Sequence, residues 1–305
     1  MSKSLIITVD TEGEGGWFWK PGDVTTTENA KCVNRFQRLC DKYGIKPVYL
    51  TTYEMANNDE FMSQLIKWES EGRCEIGIHL HAWNNPPMVA LNRIYDSQDY
   101  LIEYQYDIMR EKFLTLYNIL TSKIGHSLVS HRAGRWAMDK RYFNILKEFN
   151  IKVDCSFTPG INWSLNYGAI HGGPNYTNVP QISYYIDDIL EVPMSIRKMH
   201  ILSQGSFRHK IGCLLKGKNV WLRPAGQSEY EMKRLIKLIN SEKDSDYLEF
   251  MIHSSELMPG GSPYFSSHQH IEDLFKILDN VFKYAIDHGY RGCTLKEYYH
   301  SKINM

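Results

Sequence analysis

Three short apolar runs in this chain each end on a titratable side chain: "SLIITVD" on Asp10, "EIGIHLH" on His79 and His81, and "YLEFMIH" on His253. Strand side chains alternate between faces, so His79 and His81 share one face while Ile78 and Leu80 share the other. Helical stretches lie between such runs. The order is a strand at 4–10, a helix at 28–43 stopped by Gly44, a strand at 46–52, a helix at 59–72 and a strand at 75–81. A long helix at 96–125, ended by Gly125, leads to strand-like "SLVSHRAG", a helix at 139–150 and strand-like "IKVDCS". Residues 156–189, rich in Gly, Pro, Asn and Tyr, break the rhythm and read as a long loop excursion. Strand-like "ILEVPMSI", "NVWLRPAG" and "YLEFMIHSS" follow, with helices at 228–241 and about 269–288, then "YRGCT" and a short C-terminal helix. With no internal repeat or linker, this alternation predicts one α/β domain over 1–305 on a parallel sheet, closed as a barrel or open and doubly wound.

The polar residues fall where such a fold builds sites. Asp10 and Glu12, His79 and His81, His131 and Arg132, Asp154, and His253 all sit at the C-terminal ends of predicted strands. In a parallel barrel those ends meet at one face. Taken singly, each has a plainer reading. Asp10 and Glu12 serve equally well as solvated loop residues, Arg132 as half of a structural ion pair, and one strand histidine as a hydrogen-bonded core residue. Two imidazoles at i and i+2 favour a metal. His268 and His270 repeat that spacing in "SSHQHIED", but at a helix start, where they read as surface or cap residues.

Composition excludes some partners. Lys plus Arg and Asp plus Glu both number 35, so nothing calls for nucleic acid or an anionic membrane. No run approaches the ~18 apolar residues of a membrane span. The apolar N-terminal stretch is too short for a signal peptide, so a cytoplasmic protein is expected. The six cysteines form no CxxC pair and read as reduced thiols.

Assembled in order, these segments resemble the polysaccharide deacetylase superfamily, the NodB-like fold of carbohydrate esterase family four. "TVDTEG" resembles its first motif, "EIGIHLHAW" its second, "SHRAGRW" its third and "FMIHSSEL" its fifth, together covering about residues 5–257. The "RAGRW" and "HSSELMPGGSPY" forms are most similar to the bacterial branch found with surface-polysaccharide biosynthesis. The resemblance implies an irregular (β/α)7 barrel and metal-assisted hydrolysis of an N- or O-acetyl group on a sugar or glycan precursor. It implies Asp10 as catalytic base, Arg132 as the residue holding that base, His253 as general acid and Asp154 as the acidic partner of that histidine. His79 matches the first metal histidine, and Trp163 is a candidate substrate-wall aromatic.

The chain departs from the family pattern twice. Thr11 stands where a second aspartate is usual, and His81 follows His79 after one residue rather than three. Asp10 and Glu12 nevertheless share a side, as do His79 and His81, so one carboxylate and two imidazoles still converge on a divalent ion, most simply Zn²⁺. Glu12 is the preferred third ligand, leaving Asp10 as base; Asp10 as ligand is the alternative. The backbone N–H of Arg135 is the candidate oxyanion donor. Three other readings compete: a metal-independent, allantoinase-like amidohydrolase, a glycosidase pairing Asp10 or Glu12 with Glu256, and an inactive glycan-binding barrel.

Overall fold

The structure, a computed structural model, describes residues 3–18, 20, 23–201 and 207–303. Its strands are β1 (Lys3–Thr11), β2 (Val48–Thr51), β3 (Glu75–Leu80), β4 (Ser130–Ala133), β5 (Val153–Asp154), β6 (Tyr184–Ile186), β7 (Ile189–Glu191), β8 (Ile196–Met199), β9 (Lys218–Trp221), β10 (Tyr247–His253) and β11 (Tyr290–Gly292). The order β10-β1-β2-β3-β4-β5-β7 is parallel at every step. β6 adds antiparallel outside β7, and β11 pairs with the start of β1. β8 and β9 form a separate antiparallel ribbon. Ser195 and Leu222 tie that ribbon to the free edge of β10, where Met251 N–H donates to the Leu222 carbonyl and Glu249 N–H donates to Ser195 Oγ at 2.9 Å. The parallel sheet thus curls into the irregular (β/α) barrel that the family resemblance implies, rather than opening into a doubly wound sheet.

Strand parity divides the core. Ile7, Val9, Ile76, Ile78 and Leu80 pack outward with apolar residues of the surrounding helices. Ile6, Val48, Leu50, Val153 and Leu190 cluster on the other face as an apolar floor. Full burial of each such side chain contributes about 1.5–3 kcal/mol. Above the floor the inward positions turn polar: Thr8 meets Glu249 at 2.6 Å, and the next layer holds Asp10, His79, Arg132 and His253. Gly77 makes this interior possible, because a Cβ there would lie 2.7 Å from Leu50 Cδ2 and 2.8 Å from Ser130 Oγ.

Some predicted boundaries move. The helix expected over 96–125 runs only over Tyr106–Ile124, and Gly125 ends it at φ 77°. The reason is Glu103, whose carboxylate accepts N–H groups from Tyr100, Ala169, Ile170 and His171. Those bonds hold the preceding turn (Leu101–Glu103) against the 156–189 excursion instead of extending the helix. The 28–43 helix begins as a 3-10 turn (Glu28–Cys32) and is α-helical over Val33–Lys42. A helix at Phe207–Lys216 was not anticipated. His268 and His270 are exposed at a helix start capped by Ser267. Among the described residues, no helix is long and apolar enough to cross a membrane.

Candidate active site

Register places the polar groups. Asp10 lies opposite His253 across β1 and β10, and His79 opposite Arg132 across β3 and β4. Arg132 is fully buried; one Nη donates to Asp10 Oδ1 at 2.5 Å, the other donates to Glu249, and Nε donates to the Cys155 carbonyl. Burial alone raises the Asp10 pKa, but the guanidinium and the nearby histidines outweigh it and hold the carboxyl at about 2. Asp10 is therefore ionised at neutral pH. Its Oδ2 stands 3.8 Å from His79 Nε2 and 3.9 Å from His253 Nε2.

Glu12 follows β1 and is pinned through its backbone. Its N–H donates to Ser254 Oγ, which in turn donates to the Glu12 carbonyl, and Asn29 donates to the same carbonyl at 2.7 Å. The side chain then meets His81 Nε2 at 2.7 Å and lies 4.0 Å from His79 Nε2. His79 Nδ1 donates to the Arg132 carbonyl at 2.8 Å, which fixes the tautomer with its lone pair on Nε2. Ligand atoms of Glu12, His79 and His81 lie within 4.8 Å of one another.

This donor set fits a divalent ion. Burial depresses both imidazole pKa values to about 4, so at neutral pH both rings are uncharged with a lone pair to give. His81 Nδ1 is buried without a hydrogen-bond partner, and Gly134 lies so close that a Cβ would sit 2.8 Å from that nitrogen. Two neutral imidazoles and one carboxylate make an open three-ligand set.

His253 faces this group from β10. Burial lowers its pKa, yet the carboxylates of Glu12, Glu256 and Asp10 more than offset that and raise it above the ordinary histidine value. Glu256 Oε1 lies 3.4 Å from Nδ1, and Trp17 packs edge-on against the ring at 5.0 Å. Asp154 is elsewhere. It accepts from His131 Nδ1 at 2.7 Å and from Ser156, on the outer face of the barrel, because Val153 and Cys155 take the inward positions of that segment. The acidic neighbour of His253 is thus Glu256 rather than the expected Asp154. The i+3 spacing in "HSSE" carried that signal. Glu249 shares the inward parity of His253 and was also missed.

Asp10, Glu12, His79, His81 and His253 line a cavity of about 500 Å³ walled by aromatics, among them Trp17, Trp83, Tyr100, Trp136 and Trp163. Trp83 packs at a tilt against His81, ring centres 4.1 Å apart, and Trp163 Nε1 donates to Thr158 at 2.8 Å. After β4, Arg135 and Trp136 take left-handed φ values of 54° and 62°, a strained pair at the cavity wall.

No protein-family model matches the chain, and no curated protein matches it. Solved structures do. A Mycobacterium smegmatis protein assigned as a polysaccharide deacetylase superposes with a TM-score of 0.57 at 13% identity, over 99% of this chain and 91% of that one. The chain has the polysaccharide-deacetylase fold. A GH57 branching enzyme from Thermococcus kodakaraensis is similar too, with a TM-score of 0.56 at 11% identity over 98% of this chain and 71% of that one. A 4-alpha-glucanotransferase from Thermococcus litoralis gives 0.51 at 12% identity, over 98% and 38%. One fold thus carries different carbohydrate chemistries, and the choice between them rests on the site.

Proposed function

We propose that the protein is a hydrolase that removes an acetyl group from an N- or O-acetylated sugar or glycan precursor. The observation that carries this reading is the convergence of three units on one aromatic-walled cavity: Asp10 held by Arg132, His253 beside Glu256, and the Glu12–His79–His81 set. When bound by that set, a divalent ion such as Zn²⁺ supplies Lewis acidity toward an acyl oxygen and a water. The chain's own residues do the rest. Asp10 Oδ2, the oxygen that Arg132 leaves free, takes the proton of an attacking water. His253, with Nδ1 turned to Glu256, presents Nε2–H to the departing amine, which leaves poorly unless protonated. The C–N bond breaks, and acetate and the amine result. The Arg135 N–H in the strained loop is the candidate oxyanion donor.

The "RAGRW" and "HSSELMPGGSPY" sequences support a substrate drawn from surface-polysaccharide biosynthesis. A glycosidase pairing is disfavoured, since Glu256 is buried behind His253 and does not line the cavity, whereas a second carboxylate must reach the sugar. The test is acetate release from a panel of acetylated sugars and glycan precursors by zinc-loaded protein. Release that disappears in Asp10→Asn supports the reading; no release from any panel member overturns it.

A further inference from the structure

The cavity holds a cation that no carboxylate among the described residues neutralises. Arg223, on the segment after β9, is half-buried and lines the cavity. Its guanidinium carbon lies 5.0 Å from the centre of the Trp221 ring, and Nε donates to the Ala225 carbonyl at 3.3 Å. Both Nη groups are left without a partner among the described residues. Trp221 is itself wedged against Trp136 at 6.1 Å and Trp163 at 6.2 Å, so the arginine stands on a rigid aromatic base.

Among the described residues, the buried or half-buried Arg35, Arg73, Arg110, Arg132, Arg141 and Arg197 each pair with a carboxylate. Arg135 and Arg223 do not, and both line this cavity. Arg135 spends its Nη groups on the Gln98 and Tyr167 carbonyls and stacks on Tyr100 at 4.1 Å, so it adds charge but no free fork. The cavity's carboxylates turn to other groups, Asp10 Oδ1 to Arg132 and Glu12 to His81, and neither pairs with Arg223. A guanidinium held partly out of water without a counter-ion costs stability, and a ligand that supplies the anion offsets that cost.

We infer that Arg223 is an anion-recognition subsite and that the substrate is an acetylated sugar bearing a carboxylate or a phosphate. This deepens the deacetylase reading and rests on it for taking the cavity as the substrate site. A planar fork backed by an indole suits two-point recognition of either group.

Three probes test it on the zinc-loaded protein: N-acetylglucosamine, its 1-phosphate, and the corresponding 2-acetamido glucuronate, titrated by calorimetry. At least one anionic probe is expected to bind ten-fold or more tightly than the neutral sugar, and the preference should shrink in about 0.5 M salt. Arg223→Gln should reduce anionic affinity to that of the neutral probe. Arg223→Lys should keep more of a phosphate preference than of a carboxylate one, which separates the two sources. Equal binding of all three probes by wild-type protein, no binding of either anionic probe, or an anion preference that survives in Arg223→Gln overturns the inference. If Arg223→Gln does not fold, the wild-type ranking and its salt dependence decide. Anion preference without acetate release from any substrate sinks the deacetylase reading and leaves the subsite standing.

Discussion

Arg132 faces His79 across the β3–β4 register, yet it delivers its guanidinium to Asp10, 2.5 Å from Oδ1. One residue therefore does two things. Its carbonyl accepts His79 Nδ1–H and points the lone pair of Nε2 at the ligand cluster, while its side chain keeps Asp10 ionised. The metal half and the base half of the proposed site are joined through a single backbone position.

Replacing Arg132 tests that coupling. Arg132→Gln strands two buried carboxylates, Asp10 and Glu249, and breaking a buried pair by removing one partner costs about 3–5 kcal/mol. Arg132→Lys should be milder in stability, since a charge remains, but should still lose turnover because an ammonium cannot fork to both carboxylates. Denaturant unfolding of both variants checks this. A Gln variant within about 1 kcal/mol of wild type would mean the carboxylates are not ionised in the folded protein.

Much of this arrangement was legible in the sequence because strand parity is strict. Asp10, His79, His81, Arg132 and His253 fall at strand ends with inward parity; Arg132 sits behind Asp10 and the other four line the cavity. Asp154 failed for the same reason, since Val153 before it faces inward and sends it to His131 outside the barrel. Glu103 was illegible as a helix stop because its four N–H donors include three from the excursion more than sixty residues away. That Arg223 meets no carboxylate among the described residues could not be read from sequence either, because it depends on which acidic side chains fail to approach.

Behind the site, Asp154 and Glu191 sit side by side, fully buried, and Asp154 Oδ2 and Glu191 Oε2 find no donor unless a proton lies between them. Burial and the neighbouring Asp154 carboxylate push the Glu191 pKa well above the ordinary glutamate value. The folded state thus keeps a proton that the unfolded state releases, and this contribution is full below the unfolded pKa and lost as pH rises through the raised one. Glu191→Gln supplies a permanent N–H donor instead. Unfolding free energy should therefore fall with rising pH more steeply in wild type than in Glu191→Gln; parallel profiles would show that no proton is shared.

Lys112 clamps the loop that follows the histidines. Its Nζ donates to the carbonyls of Ala82, Asn85 and Pro87, and Asn85 Nδ2 returns a bond to the Lys112 carbonyl. Lys112→Met leaves three carbonyls unpaired, at about 1–3 kcal/mol for each one that stays buried. The expected result is a lower Tm and faster proteolysis within residues 83–99. Unchanged protease sensitivity would show that Trp83 and its neighbours hold the loop without the clamp.

His253→Ala separates acid chemistry from metal binding. The ring lies 3.9 Å from Glu12 Oε1 and is outside the ligand set, so metal content should stay at the wild-type level. Turnover on whichever acetylated sugar is processed should drop roughly 10²–10⁴-fold, the usual range for losing a positioned acid or base. Near-normal turnover would move the acid elsewhere.

The two carboxylates after β1 are told apart by metal analysis of purified, zinc-reconstituted variants. Glu12 Oε2 is hydrogen-bonded to His81 and lies within reach of His79, whereas Asp10 Oδ1 is already committed to Arg132. Glu12→Gln, with His79→Ala and His81→Ala, should therefore lose bound zinc. Asp10→Asn should keep the ion and lose activity, because an amide oxygen cannot take the proton of water. The reverse pattern, zinc lost in Asp10→Asn and kept in Glu12→Gln, would make Asp10 the ligand and require the base to be found among the remaining groups at the cavity. Full activity in the presence of a chelator, with no zinc in wild-type protein, would instead make His79 and His81 substrate-orienting residues. The neutral state of both rings and the His79 tautomer fixed by Arg132 favour the metal assignment, since orienting a sugar hydroxyl requires neither.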